Sequence, residues 1–73
     1  MIKYNLKALI AKKAASESRK ITLDEVANAA GVNKAAISKM ASNVNYSTTT
    51  RTLDALCMYF DCKVEDIIEH VKS

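Results

Sequence analysis

Residues 22–40 read TLDEVANAAGVNKAAISKM, and this stretch decides the fold. It holds two short helical patterns on either side of the chain's single glycine. Val26, Ala30, Val32, Ile37 and Met40 recur at helical spacing and mark inward faces. Ala27 is small enough for a second helix to cross closely. Gly31 can take the left-handed backbone that a sharp helix exit requires. Thr22 and Glu25 have the T-x-x-E spacing of a capping box, and Ile21 stands where a hydrophobic staple would. A helix is therefore predicted from about Leu23 to Ala30. Asn33 is a good N-cap for the next helix, which runs to Met40 or Ala41. The outward residues there are Asn33, Lys34, Ala35, Ser38 and Lys39, a short, polar and positive face with no acid of its own.

Outward from this core, Leu6, Leu9, Ile10 and Ala14 form an apolar stripe, predicting a first helix over about residues 3–15. Residues 16–20 read as a polar loop. They could instead extend that helix, or offer Arg19 and Lys20 to phosphate. Residues 41–47 read as a polar linker, and residues 47–50 offer several N-caps for a fourth helix carrying Leu53, Leu56, Cys57 and Phe60. Residues 61–63 make a turn. A fifth helix is predicted from Val64 to about Val71, with Ile67 and Ile68 inward.

Composition narrows the function classes. Seventy-three residues suit one small domain, residues 1–73, with no separate catalytic or effector unit expected. Proline is absent, which favours helices over a turn-rich sheet. No apolar run approaches a membrane span, and Lys3, Lys7, Lys12 and Lys13 interrupt any signal-peptide core, so a cytoplasmic protein is expected. The net charge of +3 is uneven: residues 1–51 carry +6 and residues 52–73 carry −3. A basic region can release counterions from a polyphosphate, although ordinary solvated lysines would look the same.

Catalytic and metal signatures are weak. Cys57 and Cys62 are the two cysteines and read as small core residues, because zinc needs about four ligands and His70 is the only histidine. His70 is expected near the end of the fifth helix, where it would meet the helix dipole. Asp24, Glu25, Glu65 and Asp66 suit first helical turns. No enzyme activity and no cofactor is expected.

The pattern resembles the lambda-repressor/Cro-type helix-turn-helix family, also called the XRE family. IKYNLKALIAKK looks like that family's first helix, and TLDALCMYFDCKVEDIIEHV like its fourth and fifth. The resemblance implies an all-α fold, a five-helix lambda-repressor-like bundle whose helices two and three form the helix-turn-helix. It implies a transcription regulator that binds double-stranded DNA, acting as a repressor by operator occlusion. Helix three would enter the major groove. Asn33, Lys34, Ala35 and Ser38 would face base edges: lysine can donate to guanine, asparagine can pair with adenine, and alanine can touch a thymine methyl. Asn33 is equally readable as a plain cap. Thr22, Lys39, Asn43, Asn45, Tyr46, Thr48 and Arg51 would contact the DNA backbone, although Thr48 also reads as a cap and Asn43 and Asn45 as turn formers.

Two departures stand out. Leu23 occupies a position where many family members have glutamine, and Ala41-Ser42-Asn43 replaces a common Glu-Asn-Gly. A homodimer is expected, with the fifth helix and residues 69–73 as its interface. The alternative is an antitoxin-like or accessory module that binds a protein partner. An exposed apolar patch including Leu23 would favour it.

Overall fold

The computed structural model describes residues 1–42 and 46–72. In chain order these form β1 (Ile2–Tyr4), α1 (Leu6–Glu17), α2 (Leu23–Ala30), α3 (Lys34–Ala41), α4 (Thr50–Phe60), α5 (Val64–Ile67) and β2 (Ile68–His70).

The expected all-α fold is corrected by the chain ends. Among the described residues five helices are present, but β1 and β2 pair as a two-stranded antiparallel sheet, with Ile2 opposite His70, Lys3 opposite Glu69 and Tyr4 opposite Ile68. The Met1 ammonium donates to the Val71 carbonyl at 2.8 Å, the Val71 amide returns a bond to the Met1 carbonyl, and the Asn5 amide donates to the Ile67 carbonyl at 2.7 Å. α1 therefore begins at Leu6, not near Lys3. The fifth helix is a single turn, because the backbone turns extended at Ile68 (φ −125°, ψ 152°). β-branched isoleucine suits a strand as well as a helix. His70 accordingly lies in β2 opposite Ile2, not at a helix end.

Leu6, Val26, Ile37, Met40, Leu56 and Ile67 are the largest fully buried side chains, so every helix contributes to one core. Each such burial stabilises the fold by about 1.5–3 kcal/mol. α2 packs on both α3 and α4, which sets the two helices of the central stretch at their mutual angle. Leu23 is half-buried against this core. The large apolar side chains most exposed are Met58, Met1, Ile2 and Val64.

Part of the polar stretch before α2 is helical, since α1 continues to Glu17 and ends on a left-handed Ser18. Arg19 is exposed, but its guanidinium is committed to carboxylates of the same chain. Its guanidinium donates to both Glu25 carboxylate oxygens, at 2.6 and 2.8 Å, and to Glu17 at 2.8 Å. Tyr59 of α4 donates its hydroxyl to the same Glu25 at 2.5 Å, and Lys13 sits over the Tyr59 ring. Arg19 first, then Tyr59, holds the Glu25 carboxyl down at about 2. This network braces α1, α2 and α4 on one side of the molecule.

Cys57 and Cys62 are free and half-buried, and burial pushes the Cys62 thiol up. Among the described residues no cluster of histidine, cysteine, aspartate and glutamate could hold a metal ion. No helix among them is long and apolar enough to cross a membrane.

Candidate nucleic-acid interface

The turn between α2 and α3 follows from three residues. Thr22 caps α2, its hydroxyl accepting the Glu25 amide at 3.2 Å. Gly31 ends α2 at φ 70°, ψ 29°, and the next amide, of Val32, donates to the Ala27 carbonyl at 3.0 Å. Asn33 then starts α3, its Oδ1 accepting the Ala36 amide at 2.9 Å. Left-handed glycine and a side-chain cap turn the chain within three residues, so α3 packs on α2 and keeps one face free.

That face divides as the helical period requires. Ile37, Met40 and Ala41 are buried, while Asn33, Lys34, Ala35 and Lys39 are exposed and Ser38 is half-buried. Its isolation from acids is incomplete: Asp24, in the first turn of α2, places Oδ2 3.5 Å from the Lys34 Nζ.

α4 contributes a second wall. Thr49 caps it, its Oγ1 accepting the Thr52 amide at 3.2 Å and lying 3.1 Å from the hydroxyl of buried Thr52. Asn33, Tyr46, Thr48 and Arg51 meet around one open groove, together with Gly31, Ala36 and Thr49. Here the N-terminal turns of α3 and α4 converge, and Arg51 is exposed. Free helix N-terminal amides and a guanidinium together favour an anion.

Lys39 leans outside this groove, with its ammonium 5.6 Å from the centroid of the Tyr46 ring. Thr22 is exposed at the start of α2, away from the groove lining and two residues from Asp24. Asn43 and Asn45 lie outside the described residues.

Of the described residues expected at a DNA surface, all but Thr22 fall into two neighbouring sets: the exposed face of α3, and the groove between α3 and α4. Asp24 was not expected there, and neither was Tyr4, whose hydroxyl donates to the Tyr46 carbonyl at 2.5 Å. Asp24 is exposed and Tyr4 is buried beneath the groove wall; both meet the site only through the folded chain, and no local pattern marks them.

No curated protein matches the chain at a significant level. The family model of the Cro/C1-type helix-turn-helix DNA-binding domain matches residues 5–73, which takes in all five helices and β2. The chain belongs to the Cro/C1-type helix-turn-helix DNA-binding domain family.

Proposed function

We propose that this chain reads a specific double-stranded DNA operator and represses transcription by occupying it. The observation that carries the reading is the exposed, basic face of α3, set on a rigid turn and flanked by a groove lined with helix N-terminal turns and Arg51. Lys34, Ala35 and Ser38 face base edges in the major groove, and Asn33 offers its side-chain amino group while its oxygen caps the helix. Lys39, Arg51, Thr48 and Thr22 take backbone phosphates, as do Asn43 and Asn45 of the intervening segment. Phosphate contacts set position and base contacts set sequence. The chain acts in the cytoplasm, as one domain.

A homodimer on two-fold related half-sites completes the proposal, since joining two small DNA-binding faces raises affinity well above that of either alone. The sheet that joins the chain ends is the self-association surface we favour.

The test is duplex affinity at several salt concentrations for wild-type and the Lys34→Ala/Lys39→Ala variant. The reading expects lower affinity and a flatter dependence of log affinity on log salt, by about 0.9 for each phosphate that the variant leaves unneutralised. Equal affinity and equal slope would remove α3 from the interface.

A further inference from the structure

We infer that Tyr4 and Tyr46 are positioning residues for DNA binding: Tyr4 moors the chain that follows the reading helix, and the Tyr46 ring aims Lys39. The inference rests on the reading above and extends it to two residues that need not touch DNA.

Tyr4 is only 6 % exposed. It is held on β1, opposite Ile68 of β2, so its position is set by the pairing of the chain ends. Its hydroxyl crosses 42 residues of sequence to the backbone carbonyl of Tyr46, at 2.5 Å. A buried tyrosine hydroxyl needs a partner. Here the partner is the residue at the head of the groove wall that continues through Ser47, Thr48 and Thr49 to Arg51. A bond to the main chain places that backbone whatever side chain it carries.

The Tyr46 ring is half-buried and packs against the core cluster, so it is itself a fixed surface. Lys39, in the last turn of α3, sets its ammonium 5.6 Å from the ring centroid, within cation–π range. A free lysine spreads over many rotamers, and an electron-rich ring beside it narrows that spread before any phosphate arrives. The sheet, the Tyr4 hydroxyl, the Tyr46 ring and the Lys39 ammonium thus form one continuous chain of interactions from the termini to the DNA face.

The test compares duplex affinity of wild-type with Tyr4→Phe, Tyr46→Phe, Tyr46→Leu, Lys39→Ala and Tyr46→Leu/Lys39→Ala, each first shown by its urea midpoint to be folded under assay conditions. Tyr46→Leu is expected to weaken binding about two- to fivefold, the worth of an exposed cation–π pair. Tyr46→Phe keeps ring and carbonyl and should bind as wild-type does. Tyr4→Phe should weaken binding, and Tyr46→Leu should add nothing once Lys39 is alanine. Additive losses, or Tyr46→Phe as weak as Tyr46→Leu, would overturn the inference. Without DNA, the ring should shift the Lys39 ε-methylene protons upfield in wild-type, less so in Tyr4→Phe, and not in Tyr46→Leu. Those shifts in a wild-type chain that binds no duplex would uphold the mooring and overturn the DNA reading. Duplex binding that Tyr4→Phe and Tyr46→Leu leave unchanged would overturn the inference alone.

Discussion

Asp24 at the start of α2 pairs with Lys34 at the start of α3, Oδ2 to Nζ 3.5 Å, on the face assigned to DNA. Both side chains are more than half exposed, so the pair adds little to the fold. Its consequence lies at the interface. A carboxylate here competes with DNA for the lysine and repels phosphate. Replacing it, Asp24→Asn, is expected to raise duplex affinity about two- to fivefold at low salt, with the gain shrinking as salt screens the charges. Weaker binding by Asp24→Asn in a filter or gel-shift titration would mean that Asp24 itself contacts the DNA.

Asn33 separates two roles. Its oxygen caps α3, so Asn33→Ala should cost about 1 kcal/mol of stability, read from urea unfolding. Asn33→Ser keeps a capping oxygen and should restore most of that loss. If Asn33 also reads a base, Asn33→Ser will be as stable as wild-type yet lose preference at one operator position. Full preference in the serine variant would confine Asn33 to capping.

Gly31 is required for its backbone alone. At φ 70° nothing lies within 4 Å of where a Cβ would stand, so alanine meets no steric clash. The expected cost of Gly31→Ala is about 1 kcal/mol, from the left-handed conformation itself. Gly31→Asn should cost less, because asparagine tolerates that region. A Gly31→Ala chain as stable as wild-type in thermal unfolding would contradict the strain argument.

Acid should weaken the fold through Glu25. Its carboxyl is held at about 2 by Arg19 and then Tyr59, below the unfolded value of about 4.3. The unfolded chain therefore binds the proton first as pH falls. The stabilisation is fully present above about pH 4.3 and is lost as pH falls through about 2. Glu25→Gln should lower the urea midpoint at neutral pH and differ less from wild-type in strong acid. A gap of the same size at both pH values would show that the ion pair with Arg19 is not its source.

The helix-turn-helix was legible because its signals are local. Gly31, the Thr22 and Asn33 caps and the apolar spacing all act within one or two turns, and α2 and α3 end where those residues place them. Thr49 likewise came from a short run of possible caps. The terminal sheet was not legible, because Ile2 and Lys3 find their partners at the far end of the chain and residues 67–71 suit a helix as well as a strand. Arg19 reads as a free cation in sequence, yet the fold commits it to Glu25 and Glu17. Of the site, the exposed α3 residues followed from helical period. The Asp24–Lys34 pair and the Tyr4–Tyr46 bond exist only once α2 meets α3 and β1 meets β2.

The most direct test of the central claim is selection of bound duplexes from a random library at near-physiological salt, with wild-type protein. The account predicts one enriched motif, palindromic with half-sites about one helical turn apart if the chain binds as a dimer. Recovery of no motif, with binding that fades as salt is added, would leave only charge attraction and contradict a sequence-reading α3.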